Sequence, residues 1–130
     1  MEEEKLSEES TEKSNKRFLQ PATLKRNKEF AFAYRKGQGK ATRNLVCICA
    51  KSRVPGIRVG YVVSKKVGNS VQRNLIRRRM KEAFRLIYPE LTGNYSVVFV
   101  ARTGIVYADF KSIQKDMLYL LKKQKLFMSE

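Results

Sequence analysis

The chain has 130 residues, 28 Lys and Arg against 12 Asp and Glu, no histidine, and a formal net charge of +16. That length fits one domain with at most one tail, large enough to fold without disulfides or metal. Apolar runs no longer than residues 45–50 and 97–101 are far too short to cross a bilayer, and without histidine or a spaced pair of acids beyond residue 12 a self-contained hydrolase is not expected.

The charge is unevenly placed. Six of the acids fall in the first twelve residues, so residues 1–15 carry −4 and residues 16–130 carry +20. A small body with that excess suits nucleic acid best, with an anionic membrane surface or an acidic protein as the other classes. The acidic N-terminus is neither a secretory signal nor a transit peptide, and a cytoplasmic location is expected.

Residues 1–16 are Glu-, Lys- and Ser-rich and cannot offset their ordering entropy. We therefore assign residues 1–20 to a disordered acidic tail ended by Pro21, and residues 21–130 to the domain. Asn27 is expected to cap a helix over residues 28–36, stopped by Gly37. On it Phe30, Ala33 and Tyr34 share a face. Residues 45–50 read as a strand, extended back to Ala41, packed on one face and partly covered on the other. Cys47 and Cys49 point the same way along it. Their spacing fits a disulfide poorly, and with no histidine they cannot make an ordinary zinc site, so buried reduced thiols are expected. A turn at residues 52–56 leads to a second strand over residues 57–64, and the two strands are expected to pair as an antiparallel hairpin.

A long helix is predicted over residues 70–88, before Pro89. Ile76, Met80, Ala83 and Ile87 form its apolar stripe, with Phe84 at the margin. Arg73, Arg77, Lys81 and Arg85 climb one side at spacings of four, with Asn74 and Arg78 beside them. Leu75, Arg79 and Leu86 lie on a third side. A third strand over residues 95–102 and a helix over residues 109–123 complete the chain. Phe110, Ile113, Met117, Leu120 and Leu121 of that helix face the core. The pattern is an α+β sandwich, one antiparallel or mixed sheet with helices packed on it.

Between Lys65 and Arg85 there are eight cations and one acid, Glu82. Glu82 reads as a helix ion pair and Asp109 as a helix cap. The turn Val67-Gly68-Asn69-Ser70 opens the basic helix behind Lys65 and Lys66, where backbone amides favour a phosphate. Phe30 and Tyr34 serve either a local core or an exposed groove that stacks unpaired nucleotides.

The string Lys65-Lys66-Val67-Gly68-Asn69-Ser70-Val71-Gln72-Arg73-Asn74-Leu75-Ile76-Arg77-Arg78 resembles the signature of the protein subunit of bacterial ribonuclease P. Leu24-Lys25-Arg26-Asn27-Lys28-Glu29-Phe30, with Tyr34 and Gly37, is similar to that family's first helix, and the likeness covers about residues 22–125. It implies an α-β-β-β-α-β-α two-layer sandwich with a left-handed β-α-β crossover, where chain physics alone favours the right-handed one. It also implies a protein cofactor, inactive alone, that binds a catalytic RNA and the 5′ leader of precursor tRNA. The RNA performs the phosphodiester hydrolysis. The protein itself binds no cofactor, Mg2+ belongs to the RNA–protein holoenzyme, and neither membrane nor protein partner is implied. By resemblance, Lys65, Lys66, Asn69, Arg73, Asn74 and Arg78 face the catalytic RNA. Phe30, Tyr34, Val46 and Ile48 form the leader cleft, edged by Arg73, Arg77 and Lys81. Two positions depart from the family pattern. Leu75 removes a cation that neighbouring Arg79 partly replaces, and Ile48 stands where some relatives carry an aromatic. The alternative reading is a non-enzymatic basic RNA-binding module, such as a ribosome-associated protein.

Overall fold

The computed structural model describes residues 21–126. The acidic segment assigned to residues 1–20 lies outside them. Eight strands and α-helices follow in order: β1 Ala22–Thr23, α1 Asn27–Lys36, β2 Gln38–Ala41, β3 Leu45–Lys51, β4 Ile57–Val62, α2 Ser70–Ile87, β5 Tyr95–Ala101 and α3 Phe110–Lys123. This is the expected α-β-β-β-α-β-α order with a two-residue strand ahead of it.

The five strands form one sheet in the order β1-β4-β5-β3-β2. The β3–β4 hairpin expected from sequence does not form. β5 lies between them, antiparallel to β3 and parallel to β4. Burial explains the choice. Ser96, Val97, Val98 and Phe99 are consecutive and all buried, so β5 needs cover on both faces and a partner on both edges. The hairpin is instead β2–β3, closed between Ala41 and Val46. The expected backward extension of β3 is thus a separate strand, broken at a turn. Thr42 Oγ1 and Asn44 Nδ2 in that turn donate to Asp116 Oδ2 of α3 at 2.9 and 2.8 Å.

Alternate β residues meet different layers. Leu45, Cys47, Val59, Val97 and Phe99 pack with Ile76, Met80, Ala83, Phe84 and Ile87 of α2 and with Ile113, Met117, Leu120 and Leu121 of α3. Phe84 is fully buried rather than marginal, edge-on to Phe99 with ring centroids 5.4 Å apart. Phe110 is only half-buried. Cys47 and Cys49 face this core as free thiols with Sγ atoms 3.7 Å apart, and contact with Cys49 together with burial pushes the Cys47 thiol up. On the opposite face Ile48, Val62, Val98 and Val100 meet Leu24 and the Phe30 and Ala33 side chains of α1. One short helix cannot cover a five-stranded sheet, so part of this face stays open.

Asn27 is not the cap of α1. The cap position is Arg26, in extended backbone, and Asn27 is already helical. The acceptor comes from Glu29, whose Oε2 takes the Lys25 and Arg26 amides at 2.7 and 3.4 Å while Oε1 takes Arg58 Nη2 of β4 at 2.7 Å. The Lys25 amide first, then the Arg58 guanidinium, hold the Glu29 carboxyl at about 2 instead of 4.5. A depressed carboxyl contributes stability that is full above its unfolded value and is lost as pH falls through its folded one. The stability gap between wild type and Glu29→Gln is therefore expected to be constant above about pH 5 and to shrink toward pH 2 in acid-unfolding curves. A gap independent of pH across that window would remove the carboxylate from the anchor.

Candidate nucleic-acid interface

The start of α2 is a rigid construction. Asn69 Oδ1 accepts from the Gln72 amide, and Gln72 Oε1 accepts from the Asn69 amide, both at 2.9 Å. This reciprocal capping box satisfies two donors at the helix end. Gly68 makes room for it, since a Cβ there would lie 2.3 Å from Gln72 Oε1. Arg73 Nε donates to the Gly68 carbonyl at 3.2 Å, which aims its guanidinium from the first turn. Val67 is buried and pins the turn to the core, while Lys65, Lys66 and Asn69 are exposed. The capping box takes two amides that a phosphate at this helix start could otherwise use, so the lysines and Arg73 are the main anion-binding groups of the turn.

Gln72 was not singled out from sequence, although the Asn-x-x-Gln spacing carries the capping-box signal. Gln72→Ala is expected to cost about 0.5–2 kcal/mol of stability, as a lost cap does. It should also weaken RNA binding by freeing Arg73. Thermal unfolding and RNA titration check the two effects. Loss of stability with unchanged affinity would show that the cap does not position Arg73.

Further along α2, Val71, Asn74, Arg77, Arg78 and Lys81 line one shallow depression of about 510 Å³. Residues assigned from sequence to two separate RNA sites thus share one surface. Among the described residues neither Arg73, Arg77, Arg78 nor Lys81 has an acidic partner. Their mutual repulsion calls for a polyanion. Arg85 ends the ladder because it is gripped by Glu82, with Nε at 3.1 and 3.2 Å from the two carboxylate oxygens. Arg79 does not replace the cation lost at Leu75. It is half-buried and donates to the Ala108 carbonyl at 3.2 Å, stapling α2 to the segment before α3.

The second feature is the open part of the other sheet face. Phe30 is half-buried and its ring sits on Gly60 of β4, where a Cβ would come within 2.4 Å of ring Cε1. Tyr34, one turn on, is 48% exposed. Val46 and Ile48 are half-buried beside Val100 and Val62, whose place in this groove alternation along β4 and β5 could have indicated. Phe30, Tyr34, Val46 and Ile48 therefore share one face. Arg73, Arg77 and Lys81 stand on a helix packed against the opposite face. Residues 63–69 lead from the Val62 end of β4 into α2. Arg73 lies nearest that end, and Lys81 is about 12 Å further along the helix axis. Lys81 lines the same depression as Arg77 and Arg78.

Residues 18–125 match the family described as Ribonuclease P. The chain belongs to that family. It is 37% identical over 103 residues to the "Ribonuclease P protein component" of Alkaliphilus metalliredigens, covering 79% of this chain and 93% of that one. The protein of the same name from Caldanaerobacter subterraneus is 41% identical over 104 residues, covering 80% and 90%. The Staphylococcus aureus RNase P protein structure superposes with a TM-score of 0.75 at 30% identity, covering 81% of this chain and 96% of that one. The Thermotoga maritima RNase P protein shares the fold, with a TM-score of 0.71 at 24% identity over 78% and 96% of the two chains. Family membership makes this chain the protein cofactor in tRNA 5′ processing.

Proposed function

We infer that the protein holds a catalytic RNA through α2 and the 5′ leader of precursor tRNA through the α1 groove, while the RNA cleaves the phosphodiester. The observation that carries this reading is the row of cations on α2 without acidic partners, rising from a capped and rigid turn. Lys65, Lys66, Arg73, Asn74 and Arg78 take the RNA backbone, with Arg77 and Lys81 on the same surface. Phe30, Tyr34, Val46 and Ile48 give the leader an apolar floor, which reads shape rather than sequence. Positive charge from the protein replaces part of the ionic screening that the RNA otherwise takes from metal ions.

Mg2+ belongs to the RNA in this scheme. Among the described residues no group of three Cys, Asp or Glu side chains could hold a metal ion. Among the described residues no helix is long and apolar enough to cross a membrane. The cytoplasmic placement follows from the tRNA-processing role proposed here. Sequencing the RNA that co-purifies with the protein tests the assignment. A ribonuclease P RNA is expected, and ribosomal RNA in its place would favour the ribosome-associated alternative.

A further inference from the structure

A second groove, of about 1100 Å³, opens on the flank of α1 turned away from Phe30 and Tyr34, beside the turn after β3 and the first residues of β4 and β5. Its walls carry Lys28, Arg35, Lys36, Lys51, Arg53 and Arg58 against a single acid, Glu29, which is already spent on Arg58. None of the other five cations has an acidic partner among the described residues. Half-buried Phe32 and exposed Val54 supply apolar surface between them.

The direction of β1 points the described chain start back toward this place. β1 runs parallel to β4, with Ala22 opposite Arg58 and Thr23 opposite Val59. Moving back from Ala22 is therefore moving toward Ile57 and the turn that borders the groove. The basic start of α2 lies off the other end of β4. Glu2, Glu3, Glu4, Glu8, Glu9 and Glu12 precede this point, all of them outside the family match at residues 18–125. Ten residues separate Glu12 from Ala22 and span at most about 33–36 Å, so the glutamates reach the groove easily. A tether of this kind gives an effective concentration on the order of millimolar.

We propose that residues 2–12 are an intramolecular occupant of this groove, with their glutamates on Lys28, Arg35, Lys51 and Arg53. The segment then shields a second cationic surface from RNAs held only by charge. RNA that also engages α2 is held by contacts the segment does not touch. Docking itself does not depend on the ribonuclease P reading; only its consequence for RNA selection rests on that reading.

The test uses the full chain without RNA and a zero-length carbodiimide, which joins a carboxylate to a lysine amine in contact with it. Mass spectrometry is expected to place cross-links from residues 2–12 on Lys28, Lys36 and Lys51 in preference to Lys65, Lys66 and Lys81. An even spread, or a preference for the second set, overturns the proposal. Removal of residues 1–15 is then compared in two backgrounds, wild type and an Arg35→Ala, Lys51→Ala, Arg53→Ala variant, whose three positions are exposed. Deletion should tighten binding of an arbitrary single-stranded RNA several-fold in the first background and much less in the second. Equal tightening in both means that the segment acts by net charge alone and does not dock. RNA protection of Lys28 and Lys51 that is the same with and without the segment assigns the groove to RNA instead.

Discussion

Alanine at Arg73, Arg77 and Arg78 together is expected to collapse the salt dependence of RNA binding. With about five phosphate contacts the log–log slope of affinity against salt should lie near −3.5 to −4.5, and each lost contact makes it shallower by about 0.7–0.9. The triple variant should thus lose roughly 2–2.7 of the slope, and Arg77→Ala alone a third of that. Arg77 is the cleanest single probe. Its one hydrogen bond, to Asn74 Oδ1 at 3.4 Å, is too long to matter to the fold. Arg79→Ala is the internal control. Its guanidinium is spent on the Ala108 carbonyl, so the variant should lose stability and keep the slope. An unchanged slope in a folded Arg77→Ala protein would take the α2 depression out of the interface.

Tyr34→Ala is expected to weaken binding of a precursor tRNA with a leader of several nucleotides and to leave a leaderless substrate alone. Base stacking on an aromatic contributes on the order of 1–3 kcal/mol, and with Ile48 rather than an aromatic on the floor the lower end applies, roughly a fivefold loss. Phe30 is a poorer probe than it reads from sequence. Its ring rests on Gly60 and belongs to the small cluster with Leu24 and Val98. Phe30→Ala should therefore also destabilise the domain, by up to the about 3–5 kcal/mol seen for buried Phe→Ala changes. Gly60→Val should lift the ring off the sheet and give the same loss without altering Phe30. If Tyr34→Ala weakens both substrates equally, the groove does not hold the leader.

The helices were legible in the sequence because a 3.6-residue period survives in them unbroken. Ile76, Met80, Ala83 and Ile87 are buried as the stripe requires, and Asp109 caps α3 through the Ser112 amide at 2.8 Å. Strand partners were not legible. Neighbourhood along the chain and a Pro-Gly turn favour a β3–β4 hairpin, whereas the pairing is decided by which strand most needs burial on both faces, and that is β5. β2 went unseen because Gln38–Ala41 is exposed throughout and carries no apolar alternation. The basic face of α2 was visible as a charge excess, but its side chains differ in ways that spacing cannot reveal. Arg73 is aimed by Gly68, Arg79 is stapled to Ala108 and Arg85 is neutralised by Glu82, all through contacts set by the turn geometry or the tertiary fold.

Cleavage of precursor tRNA by a bacterial ribonuclease P RNA, at a magnesium concentration too low for the RNA alone, measures the cofactor role most directly. Adding this protein should restore cleavage at the mature 5′ end, and the protein without RNA should cleave nothing. Cleavage at that site by RNA-free protein, or no stimulation by a folded protein that binds the RNA, would contradict the account.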